Sequence, residues 1–181
     1  MPDLYAHRPH RPAPSMFVPK SAHVWRAFSS RPERVFDAFL DPDLIRSWFG
    51  PGLGEIVHID VHAHVGGMFS ISQRRGEMVI DTHGTYHTLD RPHRLAFSWA
   101  TPAVRLPEGH VTVEIEPHDD GGSAVTLTHR IDPSWSGRIG EIESGWSHML
   151  SAMSEALGYP ASDDPSLDEP GSEQPPRRAP P

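Results

Sequence analysis

The chain has no cysteine, so disulfides, thiolate metal sites and cysteine nucleophiles are excluded. It has no apolar run near the ~20 residues needed to cross a bilayer, and its N-terminus carries no apolar signal-peptide core. A soluble, cytoplasmic protein with no membrane partner is expected. An excess of positive charge is missing too: 16 Lys and Arg stand against 24 Asp and Glu, a formal net charge of −8. The basic residues occur singly or in pairs, as at Arg74-Arg75 and Arg177-Arg178, with no stripe that could track a phosphate backbone. Nucleic acid is therefore not an expected partner. Nucleophile elbow, Walker-type loop and dinucleotide fingerprint are also absent. Gly50-Pro51-Gly52-Leu53-Gly54 holds three glycines, but it neither follows a strand nor opens a helix, and it reads as a plain loop.

Proline, by contrast, is plentiful and unevenly placed. Of 20 prolines, five lie in residues 1–19 and seven in residues 160–181. The C-terminal stretch also lacks aromatic and β-branched side chains, so it cannot bury enough apolar surface to offset the entropy of ordering. The expected organisation is a disordered Pro-rich tail over 1–19, one folded domain over 20–158 and a disordered, acidic Pro-rich tail over 159–181.

Inside the domain the hydrophobic period changes with position. His23 to Phe28 alternates as a first strand. Pro32-Glu33 suit a first helical turn, and Val35, Phe36 and Phe39 share one face of a helix between Ser30 and Phe39. Asp41-Pro42-Asp43 opens a second helix, with Asp41 as N-cap and Leu44, Ile45, Trp48 and Phe49 as its apolar side. Its end at Trp48-Phe49-Gly50-Pro51 delivers two large aromatics to one spot. From Glu55 the period is two: Val57, Ile59, Val61, Ala63 and Val65 are apolar, and His58, Asp60, His62 and His64 are polar. Phe69 and Ile71, then Leu95, Phe97 and Trp99, then Val111, Val113 and Ile115, then Val125, Leu127 and Ile131 continue that pattern. Such alternation belongs to antiparallel strands with one wet face. The diglycine Gly66-Gly67 is expected to bend the strand pair around the aromatics. Ile139, Ile142, Trp146, Met149, Leu150, Met153 and Leu157 then mark the stripe of a long helix that stops at Gly158.

One strand, two short helices, about six antiparallel strands and a long final helix make the order of an α+β helix-grip fold. Local motifs sharpen it. Trp48-Phe49-Gly50-Pro51, Gly66-Gly67-Met68-Phe69, Gly84-Thr85-Tyr86, Arg94-Leu95-Ala96-Phe97-Ser98-Trp99 and Gly145-Trp146 occur in order. In these the chain resembles the START-like (SRPBCC) superfamily, and within it the domain of the activator of the heat-shock 90 ATPase. The resemblance spans roughly residues 22–157. It implies a curved antiparallel sheet wrapped around the C-terminal helix, with a cavity between them.

Strand and helix phase nominate Trp48, Phe69, Phe97, Trp99, His129, Trp146, Met149 and Met153 as cavity wall. They would bind a small hydrophobic or aromatic molecule, or else fill the core by touching one another. His129 falls on the inward phase of its strand. An imidazole there could orient a ligand or move a proton, or it could sit at a wet sheet edge. Asp81 and His83 could add a polar cluster at one cavity end. His58, His62 and His64 point to solvent, where nothing completes a metal site, and no cofactor is indicated. No linear motif argues for catalysis. A cyclase or dehydratase with cavity acid–base groups stays open, as does a co-chaperone-like partner role. Ligand identity and oligomeric state are not encoded in any motif.

Overall fold

The computed structural model describes residues 20–104 and 106–158. The expected tails lie outside the described residues. Seven strands form one antiparallel sheet: β1 (Lys20–Phe28), β2 (Glu55–Val61), β3 (Met68–Arg75), β4 (Met78–Asp90), β5 (Arg94–Thr101), β6 (Leu106–Pro117) and β7 (Ser123–Ile131). Their spatial order is β1-β7-β6-β5-β4-β3-β2. The helices are α1 (Pro32–Ala38), α2 (Pro42–Trp48) and α3 (Ile139–Leu157).

That order dictates where the helices go. Strand β1 is at one edge of the sheet and β2 at the other, so the chain between them must cross the sheet, and it does so as α1 and α2. Helix α3 follows β7, the neighbour of β1, and packs along β1 and α2. The sheet thus closes one side of a core whose other side is three helices, the helix-grip arrangement.

Local chemistry sets the elements. Asp41 caps α2, its carboxylate accepting from the Asp43 amide at 2.8 Å, and Pro42 fills the first helical position, where no amide donor is needed. In α3 the buried residues are Trp146, Leu150, Met153 and Leu157, a four-three-four spacing that keeps one stripe against the core. Arg91 reaches back from the β4–β5 turn to Asp37 on α1 with two bonds of 2.8 Å.

Two local readings need correction. Strand β2 does not keep one phase: a bulge between Ile56 and His58 turns Val57 outward, 38% exposed, and brings Ile56 with Ile59 and Val61 against the core. A period-two pattern cannot survive an inserted residue. The diglycine, moreover, bends no strand. Gly66 and Gly67 lie in the β2–β3 connection, where Gly66 has φ +82°. The Gly66 amide donates to the Tyr86 carbonyl at 2.8 Å, and the Tyr86 amide donates to the Gly67 carbonyl at 2.9 Å. The glycines thereby extend the β3–β4 ladder into the turn, and Val65 beside them is exposed.

Candidate functional site

Most of the expected cavity wall is core. Rings run continuously from helix to sheet to helix: Phe39 to Trp48 (centroids 5.6 Å apart), Phe49 to Trp99 (5.8 Å), Phe69 to Phe97 (5.6 Å) and Trp99 to Trp146 (4.8 Å). These spacings are those of touching, favourably tilted aromatics. Between Trp48, Phe69, Phe97, Trp99 and their neighbours the remaining void is about 20 Å³, space for little more than a water. Trp146 and Met153, on the inner stripe of α3, are buried. The Trp48 indole N–H donates to the Ala38 carbonyl at 2.9 Å, so its one polar atom is satisfied inside the core.

His129 is inward, as its phase implied, and only 1% exposed; β7 is an interior strand, so the edge alternative does not apply. The Trp146 indole N–H donates to its Nδ1 at 3.1 Å. That bond places the imidazole proton on Nε2, which has no partner among the described residues. Burial, with a smaller repulsion from His110, pushes its pKa down to about 4. At neutral pH it is an uncharged acceptor for a tryptophan.

A mainly apolar open space lies elsewhere, at the rim where the α2–β2 loop, the sheet and α3 meet; two larger recesses, near Arg46 and near His110, have more polar walls. A cleft of about 250 Å³ opens at that rim. Its walls are Phe49, Pro51 and Leu53 from the loop, Trp99 from β5, and Gly145 and Met149 from α3. Polar atoms come from Arg75, His148 and the paired hydroxyls of Thr82 and Thr101, which lie 3.1 Å apart. Of the eight nominated residues, Trp99 and Met149 line this cleft, and the other six face the closed interior.

One buried side chain builds the loop wall. Gln73, fully buried on β3, donates from its amide to the carbonyls of Gly50 (2.9 Å) and Gly54 (3.1 Å), and its Oε1 accepts from Arg75 Nε at 2.9 Å. A buried amide with all these bonds made fixes the geometry around it. Sequence reasoning passed over Gln73 and Arg75. The available signal was a Gln on the apolar phase of β3, in line with Phe69 and Ile71.

The sequence matches the model of the family described as Activator of Hsp90 ATPase homolog 1-like protein over residues 22–158. The chain belongs to this family. Solved structures with the same START-like fold agree. Protein CV1439 from Chromobacterium violaceum is 22% identical with a TM-score of 0.67, covering 79% of this chain and 100% of its own. Protein NE0264 from Nitrosomonas europaea is 18% identical with a TM-score of 0.66, covering 76% and 93%. DynU16, from the dynemicin biosynthetic locus, is 17% identical with a TM-score of 0.60, covering 76% of this chain and 46% of its own. No curated protein matches the sequence.

In this Activator of Hsp90 ATPase homolog 1-like domain, the motifs that carry the resemblance do structural work. Trp48, Phe69, Tyr86, Phe97 and Trp146 are buried, Gly50 and Gly66 take positive φ in turns, and Gly67 and Gly84 allow close backbone approach. Asp81 and His83 alternate with the buried Ile80, Thr82 and Gly84 and so stand on the outer face, away from the interior. His58, His62 and His64 are exposed, and no cluster of three metal-ligating side chains occurs among the described residues. No described helix is long and apolar enough to cross a membrane.

Proposed function

We propose that the protein binds a small, largely apolar molecule in the rim cleft bounded by the Phe49–Gly54 loop, the sheet and α3. The observation that carries this is the 250 Å³ cleft itself: it is concave and mainly apolar, with a few fixed polar groups, as small-molecule sites are. Family membership is compatible with ligand binding and with cyclase-like chemistry. Acid–base catalysis draws less support from the cleft. No carboxylate among the described residues lines it, its one imidazole, His148, is exposed, and His129, the general acid/base that strand phase suggested, is engaged with Trp146 in the core.

Gly145 supplies the test. It lines the cleft from α3, and nothing lies within 4 Å of where its Cβ would stand. Gly145→Leu therefore adds bulk to the cleft from a position with room for its Cβ, while replacing a helical glycine with a good helix former. Titration with the neutral fluorophore N-phenyl-1-naphthylamine should show saturable binding, with quenching of Trp99. The Gly145→Leu protein should keep its melting temperature and lose the binding. Binding unchanged in that variant would move the site elsewhere and overturn the proposal.

A further inference from the structure

Arg75 is the last residue of β3, half-buried at the cleft wall. Its Nε is tied to Gln73 Oε1, and Gln73 in turn is held by two loop carbonyls. The guanidinium is thus oriented from behind. Its two Nη groups have no hydrogen-bond partner among the described residues, and no described carboxylate forms an ion pair with it. The adjacent Arg74, on the opposite face of β3, pairs with Glu55. Burial pushes the Arg75 guanidinium below its ordinary pKa, the mark of a cation partly stripped of water without a counter-charge.

The rest of the cleft offers no negative charge to match it. The loop, β5 and α3 contribute apolar side chains, Thr82 and Thr101 are neutral, and His148 carries either no charge or a positive one. A molecule of net charge −8 therefore presents a locally positive, apolar recess. A guanidinium held through Nε exposes a planar fork that matches the two oxygens of a carboxylate. The cleft volume of about 250 Å³ sits just below the usual range of ~300–1,000 Å³ for ligand sites, which favours a compact body over a long chain.

We infer that the occupant of this cleft is a compact aromatic or alicyclic carboxylate whose anion is held by the Nη edge of Arg75 while its ring lies against Trp99 and Met149. The inference rests on the binding role proposed above and adds the chemical class of the ligand.

Calorimetry with 2-naphthoate and its neutral isostere 2-naphthamide tests it. The acid should bind wild-type protein roughly tenfold or more tightly than the amide, the size of a charge-assisted contact. Arg75→Met should erase that preference and leave the amide's affinity nearly unchanged. Arg75→Lys, which keeps the charge and loses the fork, should retain part of the preference and guards against a folding defect in the methionine variant. Equal affinities for acid and amide, both lost in Gly145→Leu, would leave the cleft as a binding site and overturn the carboxylate assignment. A preference for the acid that survives Arg75→Met would also overturn it. Binding of neither compound, nor of N-phenyl-1-naphthylamine, would overturn both readings together.

Discussion

At the scale of single residues, burial keeps His129 neutral, and this couples its titration to folding. Its pKa is about 4 in the folded protein against an ordinary 6.5. Above pH 6.5 the folded and unfolded chains bind the same number of protons at this site, so no pH dependence arises there. Between pH 6.5 and 4 the unfolded chain takes up a proton that the folded one refuses, and stability falls as the pH falls. The loss across that window amounts to roughly 3 kcal/mol. Urea midpoints measured from pH 7 to 4 should show this slope. His129→Gln, which retains an acceptor for the Trp146 indole, should remove that share of it; identical slopes would mean that His129 titrates normally. The same neutrality means that His129 cannot attract an anionic ligand near pH 7. Trp48 makes a second prediction at this scale. It is 3% exposed and hydrogen-bonded to Ala38, so Trp48→Ala should cost about 3–5 kcal/mol in chemical denaturation.

Among the elements, two glycines should respond in opposite ways. A Cβ on Gly84 in β4 would overlap the Ser98 carbonyl oxygen of β5 and press on the Phe69 ring. The obstruction is backbone in a paired strand and cannot swing aside. Gly84→Ala should therefore destabilise by about 1–3 kcal/mol. Gly145 in α3 has open space, and Gly145→Ala should stabilise by up to about 1 kcal/mol through helix propensity alone. Thermal melts of the two variants should move in opposite directions; shifts of the same sign would show that the cleft face of α3 is packed. Element identity was readable from local signals. The Asp41-Pro42 cap, the α3 stripe and the alternation of β3 and β5–β7 each name their element without outside help. The phase of β2 was not, because a bulge is decided by the partner strand's register and adds no distinctive residue.

For the whole molecule, the family match over residues 22–158 and the described core have nearly the same extent. Trimming the chain to residues 20–158 should leave the melting temperature within a few degrees, since five of the 20 prolines fall in residues 1–19 and seven in residues 160–181, a composition poorly suited to adding a packed core. A large drop would mean that residues beyond them contribute to stability. The interior and the cleft are separate spaces: rings close the first to about 20 Å³, and the second opens at the rim to about 250 Å³. A ligand would sit at the mouth of the grip, bounded by the Gly50–Gly54 loop that composition alone marks only as a loop.

By itself the sequence determined the fold class, the order of the elements and the inward phase of Phe69, Phe97, Trp99 and His129, because periodicity and capping are local properties of the chain. Whether those inward residues line a space or fill it was decided by the tertiary structure. Seven strands and three helices bring the rings within 4.8 to 6.2 Å of one another, and no spacing along one strand encodes that distance. The same holds for Gln73, whose amide matters only because residues 50 and 54 fold back over it. It holds for Arg75 as well, whose charge stands unpaired because Gln73 turns it toward a cleft that no acidic side chain among the described residues enters.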